Sequence, residues 1–222
     1  MRTPSSPAVA NDSVSTFLRA FRADRVPVPE DLSTRLAGLR LSQAIARGGP
    51  IDLEIGCGVG WHPIRYAREN PGRTVVAIER TAEKFAKFRE RLARHPELTN
   101  LIAVHADAVA WITHFAPPGT FDRLFLLYPN PNPKNPAARW VRMPFFGRLL
   151  ESLRPGAEIE LRTNVEAYAE EAAREAADRW GLRDGERHRF TRAEVYPANA
   201  RTHFERKYLE RGEACFSLRW RI

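Results

Sequence analysis

The chain has 222 residues, enough to bury a sizeable core, and carries 35 Lys and Arg against 27 Asp and Glu, a formal net charge of +8 that favours a polyanionic partner. No apolar stretch approaches the ~20 residues needed to cross a bilayer, and the first residues lack the hydrophobic core of a signal peptide, so a soluble, cytoplasmic protein is expected. Two cysteines, Cys57 and Cys215, offer neither metal-ligand spacing nor a disulfide framework, so no metal is expected.

Residues 1–12, rich in Pro, Ser and Ala, read as a disordered lead, and residues 13–222 as a single domain without internal repeats. Leu32–Arg47 has apolar residues at helical spacing and stops at Gly48-Gly49. A strand at Ile51–Ile55, a helix at about His62–Glu69, a strand at Thr74–Ile78, a helix at Ala82–Arg94 and a strand at Leu101–His105 follow. Phe121–Tyr128 is almost continuously apolar, as central parallel strands are, and breaks abruptly into Pro129-Asn130-Pro131-Asn132-Pro133-Lys134. A helix at about Pro144–Leu153 leads to Pro155-Gly156, then a strand at Glu158–Arg162, a helix at Val165–Trp180 and two further strands at Arg187–Tyr196 and Glu213–Arg221. This alternation predicts an α/β fold with a mostly parallel sheet and helices on both faces.

The ligand signal lies in Ile51–Gly60, IDLEIGCGVG. An apolar run feeding Gly56, Gly58 and Gly60 puts side-chain-free backbone at a strand's carboxyl end, where a ligand can approach closely. Glu79 closes the next strand, where its carboxylate can accept both hydroxyls of a ribose. A dinucleotide fingerprint needs G-x-G-x-x-G, but its last position here is Trp61, and Glu54 would repel a phosphate. E-x-G-x-G-x-G suits a nucleoside with a cationic methionine end, S-adenosylmethionine. Asp107, after the third strand, can accept from the adenine amine or cap the helix Ala108–His114, two compatible roles.

EIGCGVG, Ile78-Glu79, Asp107-Ala108, the YPNPNPK loop, Arg162-Thr163-Asn164 and T-H-F-E at Thr202–Glu205 together resemble the bacterial tRNA (guanine-N7)-methyltransferase family over about Ile51–Ile222. The resemblance implies a Rossmann-like class I methyltransferase fold, a seven-stranded sheet finished by two antiparallel strands, with S-adenosylmethionine as cofactor and tRNA or another structured RNA as partner; a monomer is expected. By matching positions it makes Glu54, Gly56, Gly58, Gly60, Glu79, Arg80, Asp107, Ala108 and Asn130 cofactor-binding and Asn130 catalytic. Lys134, Asn164, Thr202, His203, Phe204 and Glu205 become substrate-binding. Guanine N7 carries a free lone pair, so the implied reaction needs orientation rather than a strong base.

The chain departs from this family at instructive places. Asn130 and Asn164 stand where the family carries aspartates, replacing carboxylates by amides. Asn132 replaces a loop aromatic, and Asn135–Arg142 replaces a basic, histidine-containing run, leaving Arg139 and Arg142 to hold phosphate and Trp140 to offer a stacking surface. Read without the family, Asn130-Pro131-Asn132 also partly matches the Asn-Pro loops of amine methyltransferases. Glu205 is expected either to bind guanine's donors or to pair with Arg201 or Arg206. Three readings stay open: an RNA methyltransferase, a methyltransferase of a small-molecule or protein amine, and a non-catalytic RNA-binding relative.

Overall fold

The computed structural model describes residues 20–222, and the lead expected at residues 1–12 lies outside them. Five strands, β1 (Ile51–Ile55), β2 (Thr74–Glu79), β3 (Leu101–His105), β4 (Phe121–Leu127) and β5 (Leu153–Thr163), run parallel, followed by β6 (Glu186–Phe190) and β7 (Cys215–Arg221). The sheet order is β3-β2-β1-β4-β5-β7-β6, with β7 antiparallel to both its neighbours. The order reverses between β1 and β4, which opens a crevice at the carboxyl ends of these strands.

Alternation within β1 assigns the two faces. Leu53 and Ile55 join a core with α1 (Leu32–Arg47), α4 (Ala108–Phe115), α5 (Phe145–Glu151) and α6 (Glu166–Trp180), whose Leu41, Trp111, Phe146 and Ala172 are buried there. Asp52 and Glu54 face the other side, where α2 (Trp61–Glu69) and α3 (Ala82–Leu92) pack Ile64, Ala67 and Phe88 onto β2 and β3. Asp52 is buried there by Arg73 and the hydroxyl of Tyr66, 2.9 Å away. Among the described residues, no helix is long and apolar enough to cross a membrane.

Three elements depart from the expectation. β5 begins at Leu153, paired with Phe121, because Pro155-Gly156 forms a bulge within the strand instead of ending the preceding helix. β6 stops at Phe190 rather than Tyr196, because Thr191 and Val195 close a turn: Val195 N donates to Thr191 O at 3.0 Å and Thr191 N to Glu194 at 3.0 Å. A seventh helix, α7 (His203–Glu210), was not expected. Its signal is Thr202-x-x-Glu205, a capping box: Glu205 N donates to Thr202 Oγ1 at 3.0 Å, and the Glu205 carboxylate reaches back to Arg201 N at 2.9 Å.

Gly60 joins the turn to α2 with φ +78°, and a Cβ placed there would lie 2.0 Å from Cδ2 of the buried Phe88. Gly119 has φ +63° but open space around it. Gly60→Ala is therefore expected to cost about 2–4 kcal/mol in urea unfolding, from backbone strain plus overpacking, and Gly119→Ala about 1–2 kcal/mol from strain alone. Equal costs would contradict this account of the turn.

Candidate active site

Parallel strands bring their carboxyl ends to one edge, so Gly56, Glu79, Asp107, Asn130 and Asn164 gather there although 108 positions separate the first from the last. Gly56 N and Cys57 N donate to Ile78 O at 2.8 and 3.1 Å. The Glu79 carboxylate accepts Gly58 N at 2.9 Å on one oxygen and Thr81 N at 2.7 Å on the other. That clamp holds Gly56 at φ +75° and Gly58 at φ +59°, and a Cβ at either would meet nothing within 4 Å. The turn thus presents bare, left-handed backbone to open space beside a fixed carboxylate, a cradle that any side chain would fill.

Glu54 sits beneath this cradle, 2% exposed, with Oε2 2.7 Å from Nδ1 of the buried His62. The imidazole stacks on Tyr66 and meets Phe125 edge-on. Burial, then Glu54 and Glu79, push the Cys57 thiol well up, so it stays a small protonated filler. At the next strand end Asp107 caps α4, accepting Val109 N at 2.8 Å, and lies 3.7 Å from Arg80. Ala108, buried, opens that helix.

The loop after β4 is pinned by its own amides. Asn130 Oδ1 accepts Asn132 N at 3.0 Å, while Asn132 Nδ2 donates to Asn130 O at 3.1 Å and Ala138 O at 3.2 Å. A backbone N–H can only donate, so the oxygen of Asn130 faces it and the exposed NH2 is left with no protein partner among the described residues. Asn132 has φ +44°, a left-handed conformation that asparagine tolerates better than the aromatic it replaces.

The basic residues of this stretch are mostly committed inside the protein. Arg139 pairs with Glu171 and donates to Pro131 O at 2.5 Å, and Arg142 bridges Glu171 and Glu175 at 3.3 and 3.5 Å. Both fasten the loop to α6, which corrects their expected availability for phosphate. Trp140 packs on the core beside Phe145, 6.3 Å between ring centres, so it is not a free stacking surface. Lys134 is exposed and, among the described residues, has no ion-pair partner within 4 Å.

On the far side of the crevice stands α7. Thr202 caps it, and His203 and Phe204 are exposed at its start, with His203 6.1 Å from Trp61 across the opening. Glu205, fully buried, turns inward: its Oε2 accepts Arg162 Nη1 at 2.8 Å and the Tyr128 hydroxyl at 2.9 Å. Its partner is Arg162, not the Arg201 or Arg206 side chain, which pair with Glu160 and Glu210. Burial and the Glu205 carboxylate push the Tyr128 phenol upward, keeping it a donor. Tyr128 itself has φ +53°, a strained geometry for an aromatic residue, and this hydrogen bond helps hold it. Burial opposes the charge on Glu160, but Arg162 and Arg201 outweigh it and hold its carboxyl below the usual carboxylate range. Asn164 donates its amide to Glu213 at 2.9 Å.

The family model described as "Putative methyltransferase" matches residues 48–218. The tRNA (guanine-N(7)-)-methyltransferase of Anaeromyxobacter dehalogenans is 33% identical over 177 residues, covering 78% of this chain and 85% of that protein. The chain belongs to the tRNA (guanine-N7)-methyltransferase family. The enzyme of the same name from Thermus thermophilus is 31% identical over 175 residues, 77% of this chain, which spans about half (53%) of that relative's length. Among solved structures, the 16S rRNA methyltransferase KamB has the same fold, with a TM-score of 0.64 at 22% identity over 83% of this chain and 93% of that one.

Glu54, Glu79 and Asp107 lie at or next to the carboxyl ends of β1, β2 and β3, and Asn130, Asn132 and Asn164 follow β4 and β5. His62, Tyr128, Arg162 and Glu213 complete the site, and sequence reasoning missed them. His62 could have been found from helical position: it is one residue into α2, facing the acid of β1. Arg162 and Tyr128 had no such local signal, because their partner lies on α7, far along the chain.

Arg162→Met is expected to leave a buried carboxylate without its cation and to cost about 3–5 kcal/mol in chemical denaturation. A loss below about 1 kcal/mol would mean that Glu205 is not held as an ion.

Proposed function

We propose that the protein is an S-adenosylmethionine-dependent methyltransferase acting on tRNA, with guanine N7 as the acceptor atom. The observation that carries the cofactor reading is the Glu79 carboxylate fixed against Gly58 N and Thr81 N beside two left-handed glycines and open space. The acceptor reading is supported by family membership and by the name of the Anaeromyxobacter relative.

In this proposal Glu79 accepts the ribose hydroxyls with the lone pairs its backbone donors leave free, and Gly56, Gly58 and Gly60 let the backbone come close. Glu54, oriented by His62, gives the floor of the turn the negative charge that suits a sulfonium and an ammonium. Arg80, Asp107 and Ala108 flank the adenine. Bound S-adenosylmethionine supplies a methyl group made electrophilic by its sulfonium. Asn130 cannot take a proton at neutral pH, and none has to be taken, because N7 attacks through a free lone pair. Its outward NH2 is suited to donate to an acceptor edge such as guanine O6, positioning the base. Holding the reacting atoms in line is worth up to roughly 7–11 kcal/mol in favourable systems. Lys134, Asn164, Thr202, His203 and Phe204 surround the acceptor, with Glu213 returning a carboxylate beside Asn164. Glu205 serves this side indirectly, by fixing α7.

One observation weighs against an amine acceptor. An Asn-Pro loop that methylates amines uses the asparagine oxygen to accept the amine's hydrogen, and here Asn132 N already takes one of that oxygen's two lone pairs and turns the NH2 outward.

Labelled S-adenosylmethionine incubated with total tRNA is expected to yield N7-methylguanine, mapped by mass spectrometry of digested RNA. Glu79→Ala is expected to weaken cofactor binding roughly 10- to 100-fold, as loss of charge-assisted hydrogen bonds would. Tight cofactor binding with no transfer to any tRNA would overturn the acceptor reading, and unaltered cofactor affinity in the variant would overturn the site.

A further inference from the structure

The charge of the chain finds an outlet away from the loop after β4. On the sheet face carrying α2 and α3, a groove of about 460 Å3 is lined by Arg65, Arg68, Arg91 and Arg94 with Trp61 and His95, and no carboxylate lines it. Trp61, Arg65 and Arg68 fall on one stripe of α2, while Arg91 lies in the last turn of α3 and Arg94 in the turn that follows. Among the described residues, Arg68, Arg91 and Arg94 have no carboxylate within 4 Å; Arg68 instead lies 3.3 Å from the His95 ring. Arg65 reaches Ala200 O at 2.9 Å and meets only the exposed Glu69, at 3.7 Å.

Like charges from two helices converging on one groove repel each other unless an anion joins them. Exposed arginines at a helix end would satisfy the helix dipole in any case, but that explains Arg68 and Arg91, in the last turns of α2 and α3, and not Arg65 in the middle of α2. Trp61 follows the glycine turn directly and stands 6.1 Å from His203, at the start of α7. Trp61 thus joins the lining of the groove to the start of α7.

We propose that this groove binds the phosphate backbone of the RNA acceptor and leads the target nucleotide past Trp61 toward His203 and Phe204. The proposal rests on the tRNA methyltransferase reading above. Guanidinium forks bind phosphate oxygens in pairs, and Trp61 supplies a face on which a base can stack.

The test is fluorescence anisotropy with labelled tRNA over a salt series, comparing wild type, the double variant Arg91→Ala/Arg94→Ala, and the control Arg35→Ala/Arg47→Ala, which removes equal charge from α1 on the opposite sheet face. The groove variant is expected to lose about tenfold or more in tRNA affinity, with the slope of log affinity against log salt reduced by about 1.4–1.8 for two lost phosphate contacts. Its S-adenosylmethionine affinity and melting temperature should match wild type, and the control should bind tRNA within about twofold of wild type. Wild-type tRNA affinity in the groove variant, or equal losses in both double variants, would overturn the proposal. If wild type binds tRNA through the groove but transfers no methyl group, the activity reading fails and the groove stands; if wild type does not bind tRNA, both fall.

Discussion

The carboxylate of Glu205 is the contact on which the α7 side of the crevice depends. It is fully buried and accepts from Arg162 on β5, from the Tyr128 hydroxyl at the end of β4 and from the backbone of Arg201 ahead of α7. Three parts of the chain that share no local signal are thereby held at one point. A carboxylate so far from water is tolerated only because each partner is present: removing a single one leaves a charge that the interior cannot solvate. The same contact helps hold Tyr128 in a left-handed conformation, so the strand end from which the Asn130 loop departs takes its direction partly from a residue 77 positions later.

The opposite side of the crevice is built differently. The glycine turn and Glu79 are joined by hydrogen bonds between neighbouring strands, and the spacing of Gly56, Gly58 and Glu79 in the chain already specifies that geometry. This is why the glycine turn and its join to the next strand were legible in the sequence, as were β1, β3 and α1, which the structure reproduces at the same bounds. What escaped reading depended on distant partners. Glu205 read as a binder of guanine's donors or a partner of Arg201 or Arg206 because nothing near it announces Arg162, and α7 went unseen although Thr202 and Glu205 spell out its cap. Arg139 and Arg142 looked available because Glu171 and Glu175, which bind them, lie about thirty residues on, in α6.

Charge follows the same logic. A basic chain need not be basic where its arginines cluster in sequence, since ion pairs consume them one by one. The loop after β4 is left with Lys134, whereas α2 and α3, which carry acids as well, turn arginines from both helices toward one groove. Asn132 stiffens that loop by side-chain to backbone bonds to Asn130 O and Ala138 O.

Glu205 acts by holding α7 and the end of β4 against β5. Hydrogen exchange on Glu205→Gln tests it most directly. The account predicts lost amide protection across His203–Glu210 and in Tyr128, with protection of the glycine turn and affinity for S-adenosylmethionine preserved. Unchanged protection in α7, accompanied by a loss confined to tRNA binding, would contradict it.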